Sequence, residues 1–197
     1  MHFTSFINHL KPHGPLSDSL INDLRNRCEY FNVPDKSTLI VPGQVSKYIY
    51  FINEGLLRTY HIAESQEDTM GFSGPNEFIA DGHGFLNNTL SEIGVVCHSK
   101  ASGVKIRHHE WKILCEDNPM FLNLSRNILL QQLLKLERES VIYRTKDTKE
   151  KIEQLCRLFP GITDIVARRH IGNFFGTTEQ GISNIISQMR KCSEKTN

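Results

Sequence analysis

The chain has 197 residues, of which 39% are hydrophobic and 23% charged, with a formal net charge of +1. That is the composition of a globular protein that folds in water, and no stretch approaches the roughly 18 consecutive apolar residues of a membrane span. The opening MHFTSFINHLKPHG lacks the charged-then-apolar order of a secretory leader, so a cytoplasmic location with no membrane partner is expected.

Ser17 and Asp18 are good helix caps, and Leu20, Ile21 and Leu24 behind them predict a helix to about Cys28. From Thr38 to Ile106 the period shortens to that of strands, in runs such as LIVPG, KYIYFI, LLRTYHI and ASGVKI. Alternation is clearest in Lys47 to His61, where Asn53, Glu54 and Gly55 predict the turn of a hairpin. Short strands at this spacing predict a sandwich or jelly roll with a pocket between its sheets. Phe72, Phe78, Phe85, Val95 and Val96 are candidates to line it.

After His109 the helical period returns, first in HEWKILCEDNP and then in a long helix from about Met120 to Tyr143. Leu129, Leu133, Leu136, Ser140 and Tyr143 recur at spacings of four and three, which lays an apolar seam along one face. Leu122, Ile128, Leu130 and Leu134 widen it. Two such helices side by side would bury the seam, so a homodimer through Leu129, Leu133, Leu136 and Tyr143 is expected. DTKEKIEQLCRLFPGI then predicts a helix from Asp147 that stops before Pro160. Strands followed by helices give an α+β fold with two separate cores.

Charge is unevenly placed. Residues 1–143 carry 13 Lys and Arg against 16 Asp and Glu, a balance of −3, whereas 144–197 carry 10 against 6, a balance of +4. The basic end coincides with ARRHIGNFFGTTEQGISNIISQMR, whose spacing is that of two short helices about a glycine turn. A first helix is expected over about Val166 to Phe175 and a second over about Thr178 to Met189, with Gly176 at the turn and Gly172 permitting a close crossing. Thr177 and Gln180 have the spacing of a capping box, and Thr178 is an alternative cap. With Ile182, Ile185, Ile186 and Met189 turned inward, the outer face shows Glu179, Gln180, Ser183, Asn184 and Ser187. These are side-chain types that read base edges, while Arg168, Arg169, Thr177, Thr178, Arg190 and Lys191 are candidates for phosphate contacts. Double-stranded DNA is therefore the expected partner.

The order of elements, with the glycines of VPG at 41–43, NEG at 53–55 and GPNEFIAD at 74–81, resembles the Crp/Fnr family of transcription regulators. The resemblance implies a cyclic-nucleotide-binding-like β-roll or jelly-roll sensor domain over 1–118, a dimerisation helix over 119–143 and an all-helical helix-turn-helix domain over 144–197. It also implies a two-fold-symmetric operator and RNA polymerase as a further partner. Only CSEKTN follows Lys191, so little or no wing is expected beyond the recognition helix.

In relatives that bind cAMP, a Gly-Glu pair and a later Arg-Ser or Arg-Thr hold the phosphate. The matching positions here are Ala80, Asp81, Ile93 and Gly94, with no arginine. Burying the anion without its guanidinium partner is costly, so neither cAMP nor cGMP is expected to bind. A different, unidentified effector would sit near Phe72, Ala80, Asp81, Gly82, Ile93, Gly94 and Val95.

Catalysis is not expected. The chain has no His-x-His, no G-x-S-x-G and no phosphate-cradling glycine loop, and His108 and His109, if in a strand, would point to opposite faces. The five cysteines are scattered, without a C-x-x-C pair, which argues against a thiolate metal site or a cofactor held by one. The rival to a regulator is a ligand-binding or interaction protein whose helical tail no longer meets DNA.

Overall fold

The computed structural model describes residues 2–64, 66–87 and 89–194, without the side chains of residues 2, 85, 86 and 192–194. It is α+β. Helix α1 (His2–Leu10) and a 3-10 turn (Lys11–His13) precede α2 (Asp18–Arg27), where Ser17 accepts the Leu20 amide at 3.2 Å as the expected cap. Eight strands follow: β1 (Cys28–Val33), β2 (Thr38–Ile40), β3 (Tyr48–Glu54), β4 (Leu57–Ala63), β5 (Gln66–Ser73), β6 (Phe78–Ile79), β7 (Ile93–Cys97) and β8 (Ala101–Arg107). A short helix, α3 (Gly82–Asn87), lies between β6 and β7.

The strands form two antiparallel four-stranded sheets, ordered β1-β8-β3-β6 and β2-β7-β4-β5. The hairpin expected over 47–61 is not formed. β3 pairs with β6 and β8, whereas β4 pairs with β5 and β7, so the chain changes sheet at the turn. Gly55 makes this possible: at φ +118 it brings the backbone so close to β8 that a Cβ would lie 2.7 Å from the Ala101 Cβ.

Phe31, Ile40, Tyr50, Ile52, Leu57, Ile79, Val95 and Cys97 fill the space between the sheets. The outer side of the β1-β8-β3-β6 sheet is covered by α1, α2, α4 (His108–Asp117) and the first half of α5 (Pro119–Thr145), through Phe6, Leu10, Leu20, Leu24, Phe51, Leu114, Phe121 and Leu124. His108 and His109 open α4 rather than lying in a strand. Asn118 caps α5 by accepting from the Met120 and Phe121 amides at 3.0 and 3.1 Å, with Pro119 at the first helical position, where a missing N–H costs nothing.

α6 (Thr148–Leu158) starts with a complete capping box, Asp147 with Glu150, and a short turn of helix, α7 (Ile162–Ile165), leads to α8 (Arg168–Phe175) and α9 (Glu179–Glu194). α9 outruns the expected helix by five residues, and no strand follows it among the described residues.

The helical tail has a hydrophobic cluster of its own, as expected, but that cluster reaches into the strand module. Leu56 and Phe72 of the strand module are buried in the cluster that holds Ile152, Leu155, Ile162, Val166, Ile171, Ile182 and Ile186 of the helical tail. Phe72, a candidate for the inter-sheet pocket, instead stands on the outer face of the β2-β7-β4-β5 sheet, with the Phe174 ring edge-on at 5.4 Å. Phe78 likewise leaves the expected pocket for the outer face of the other sheet, against Phe6 and Trp111.

Candidate nucleic-acid interface

Two glycines set the crossing of α8 and α9. Gly176 ends α8 in the left-handed region, at φ 66 and ψ 34, which an L side chain rarely adopts. At Gly172 a Cβ would fall 2.7 Å from the Thr177 carbonyl oxygen, so the backbone of the turn lies directly on α8. Ile171, Ile182 and Ile186 are then buried together, and Ile185, Phe175 and Met189 close the margins. Thr178, not Thr177, is the cap: its hydroxyl accepts the Gly181 amide at 3.1 Å. Gln180 is free of the capping box because its amide donates to Asn184 Oδ1 at 3.0 Å.

The opposite side of α9 faces outward. Glu179, Gln180, Asn184 and Ser187 are exposed and Ser183 is half-buried, with its hydroxyl turned back to the Glu179 carbonyl at 3.0 Å. Thr178, Arg169, Arg190 and Lys191 are exposed around this face; Thr177 and Arg168 are half-buried. Arg190 is tied to Asp164 at 2.6 Å, which neutralises part of its charge. The free cationic flank is thus narrower than the count of arginines suggests, and Arg169 carries more of it.

This pair of helices is docked on the strand module. Asn173 of α8 accepts from the Thr69 amide on β5 and donates to Asp68 Oδ1 at 2.9 Å. Beneath it lies Arg58 of β4, only 3% exposed, which donates to Glu67 of β5, to Thr69 Oγ1 at 3.4 Å and to His98 Nε2 at 3.3 Å. The His170 ring from α8 stands 5.9 Å from His98. Burial, then the charges of Arg58 and Arg169, pushes the His170 pKa down to about 4, with Glu67 opposing. His98 is lowered for the same first two reasons, burial and Arg58.

With its pKa at about 4, His170 is neutral in the docked state at neutral pH, so between about pH 6.5 and pH 4 the unfolded chain binds more protons at this residue, and the lowered pKa of His98 acts in the same direction. The stability they carry is present above pH 6.5 and is lost as pH falls toward 4. The fall in melting temperature across that window is expected to be shallower in His170→Gln than in the parent protein, as read by calorimetry. A parallel fall in both proteins would show that other groups set it.

The long helix divides at Ile128. Up to that residue α5 buries Phe121, Leu124, Ser125 and Ile128 on the strand module, so Ile128 belongs to the core and not to the seam. Beyond it, Leu129, Leu133 and Leu136 are 69%, 56% and 61% exposed in the single chain, with Leu130 and Leu134 beside them. Tyr143, also expected in the dimer contact, is half-buried within its own chain, its ring packing on Phe174 at 5.2 Å and Phe175 at 5.9 Å.

No family model and no curated protein matches this chain. Solved structures do. CLP, a c-di-GMP-responsive global regulator from Xanthomonas campestris, superposes with a TM-score of 0.66 at 14% identity, over 90% of this chain and 93% of that one. FixK2 from Bradyrhizobium japonicum gives 0.64 at 13% identity over 84% and 86%, and the catabolite activator protein of Thermus thermophilus gives 0.52 at 14% over 90% and 85%. The fold is that of the Crp/Fnr regulators.

Within the Crp/Fnr fold, the residues expected around an effector do not share one surface. Val95 is fully buried in the inter-sheet core with Ile93 packed against it, while Phe72 is on the other face of the sheet. Gly94 is covered by a ring: a Cβ there would meet Tyr60 at 2.2 Å. Ala80 and Gly82 are exposed. Asp81 is 3% exposed, its Oδ1 accepts the Gly84 amide at 3.0 Å, and Oδ2 has no hydrogen-bond partner among the described residues. Phe85 lies outside the residues whose side chains are described. A buried carboxylate at the start of α3 does not fit the anion of a cyclic phosphate. Sequence reasoning missed Arg58, His98, His170 and Asn173, the polar residues that join the two units, because nothing in their spacing links positions so far apart.

Proposed function

We propose that this protein is a DNA-binding transcription regulator of the Crp/Fnr type, acting as a homodimer and not answering to cAMP. The observation that carries the proposal is the outer face of α9, where Gln180 and Asn184 are exposed side by side while Ile182 and Ile186 beneath them are buried. A helix clamped on its inner face and polar on its outer one can enter a major groove, where Gln and Asn meet adenine and Ser meets either strand's edges. Arg169, Thr178 and Lys191 would hold phosphates on either side. Residues 1–118 would form the sensing unit, 119–143 the dimer helix and 144–197 the reading unit, with RNA polymerase as the downstream partner. The exposed Leu129, Leu133 and Leu136 support pairing of two chains.

The test is fluorescence anisotropy with a random duplex at low salt, followed by selection of a preferred site. Retention is expected at about 10 μM protein or below. Gln180→Ala and Asn184→Ala should each lose about 1–3 kcal/mol of preference for the selected site, and Arg169→Ala should weaken all sequences alike. Because Gln180 donates to Asn184, the two losses should be less than additive. No retention of any duplex would defeat the proposal in favour of a ligand-binding or interaction protein.

A further inference from the structure

A cavity of about 280 Å³ lies where the strand module, the end of α5 and the helical tail meet. β5 contributes Gly71 and Phe72, α5 Glu139 and Tyr143, the residue that follows α6 is Phe159, and α8 contributes Phe174. The rings are packed against one another at one side, Phe174 touching both Phe72 and Tyr143, and leave the other side open. Gly71 marks that opening, since a Cβ added there would meet nothing within 4 Å.

The polar groups of the cavity are few: the Glu139 carboxylate, the Ser140 hydroxyl and the Arg144 guanidinium. Glu139 is half-buried among these rings, and burial is the first cause that raises its pKa. Its ion partner, Lys135, stays at 3.8 Å and is bonded more closely to Glu77. Ser140 lies beside Glu139 in the same wall. Arg144, which also lines the cavity, is exposed, where solvent screens its charge. A carboxylate and a hydroxyl set against several aromatic faces favour a cation with an aromatic body: the carboxylate pairs with the charge and the rings' negative faces attract it.

We propose that this cavity binds a small aromatic molecule carrying an ammonium group, with its ring among Phe72, Phe159 and Phe174 and its ammonium on Glu139 and Ser140. The volume is at the low end for ligand sites and suits a compound of roughly a dozen non-hydrogen atoms. Such a ligand would touch β5 and α8 at once, and so would favour whichever relative placement of the two units keeps the cavity closed. The proposal concerns the free protein and does not depend on DNA binding.

The test is titration of the methyl-labelled protein with tryptamine and, in parallel, with indole-3-propionate, which has a similar ring and the opposite charge. Tryptamine should shift the Leu155 and Leu158 methyl resonances with a Kd below about 1 mM, and indole-3-propionate should bind at least about tenfold more weakly. Gly71→Ile, which fills the void from β5, should abolish tryptamine binding without lowering the melting temperature. Glu139→Gln, which keeps the shape, should weaken tryptamine by about tenfold and remove the preference between the two compounds. No shift at several millimolar tryptamine, equal affinity for the two compounds in the parent protein, or unchanged affinity in Glu139→Gln would each overturn the proposal.

Discussion

Gly172→Val should disrupt the helix-turn-helix while leaving the strand module folded. The added Cβ would lie 2.7 Å from the Thr177 carbonyl oxygen and 3.3 Å from the Thr178 carbonyl carbon, and both are backbone atoms that cannot swing aside as a flexible side chain would. α8 and α9 must part, which opens the packing of Ile171 on Ile182 and Ile186. Overpacking of this kind costs about 1–3 kcal/mol, and the β-branched side chain and partial loss of three buried isoleucines place the expected cost at the upper end or beyond. Urea unfolding followed by amide exchange should show early loss of protection in α8 and α9 with β3 and β8 unchanged, and duplex binding should fall below detection. Gly172→Ala should show the same pattern more mildly. Equal protection of α9 in parent and valine protein would mean that the crossing is looser than described.

The double substitution Leu129→Glu, Leu133→Glu should convert the proposed dimer into a monomer. Both side chains are more than half exposed in the single chain, so the changes remove little of the fold's own packing. In a paired helix each leucine would bury most of its surface, worth about 1.5–3 kcal/mol, and four would be lost together across the two chains. Placing four carboxylates in the same seam adds repulsion. The mass from light scattering should fall to 22.6 kDa from twice that value. The melting temperature extrapolated to low protein concentration should be unchanged. Affinity for a symmetric site should drop by more than about a hundredfold, because one recognition helix per molecule then has to bind alone. A parent protein already monomeric at micromolar concentration would remove the dimer from the proposal.

What the sequence could reveal divides by the range of the physics involved. Ser17 with Leu20, and Asp147 with Glu150, are local bonds between neighbours in the chain, and both helix starts stand where the caps put them. Gly172 and Gly176 were legible for the same reason, since a close crossing and a left-handed residue follow from one position and its next few neighbours. Partnering at a distance was not. Asn53, Glu54 and Gly55 announced a turn, but the turn has the same local signature whether the next strand returns beside the first or crosses to the other sheet.

Apolar periodicity shares that limit. It identified Ile128, Phe72 and Tyr143 as residues seeking cover, but not which surface within the chain each would meet. Ile128 faces the strand module, Phe72 the helical tail and Tyr143 the rings of α8. At the candidate interface the gap was one of charge. Arg190 reads as a phosphate contact until Asp164, 26 residues earlier in the chain, is seen to hold it.

The contact between Asn173 and β5 has an effect on how the protein behaves in a crowded mixture. β5 is the last strand of its sheet, and Asn173 takes up the Thr69 amide that would otherwise point at nothing. Any event that lifts α8 away therefore uncovers a raw strand margin together with the Phe72 ring, a combination that invites stray strands to add on. The undocked form should be the sticky one, so storage conditions that keep α8 seated, above all a pH well clear of acid, are also those that keep the protein in solution.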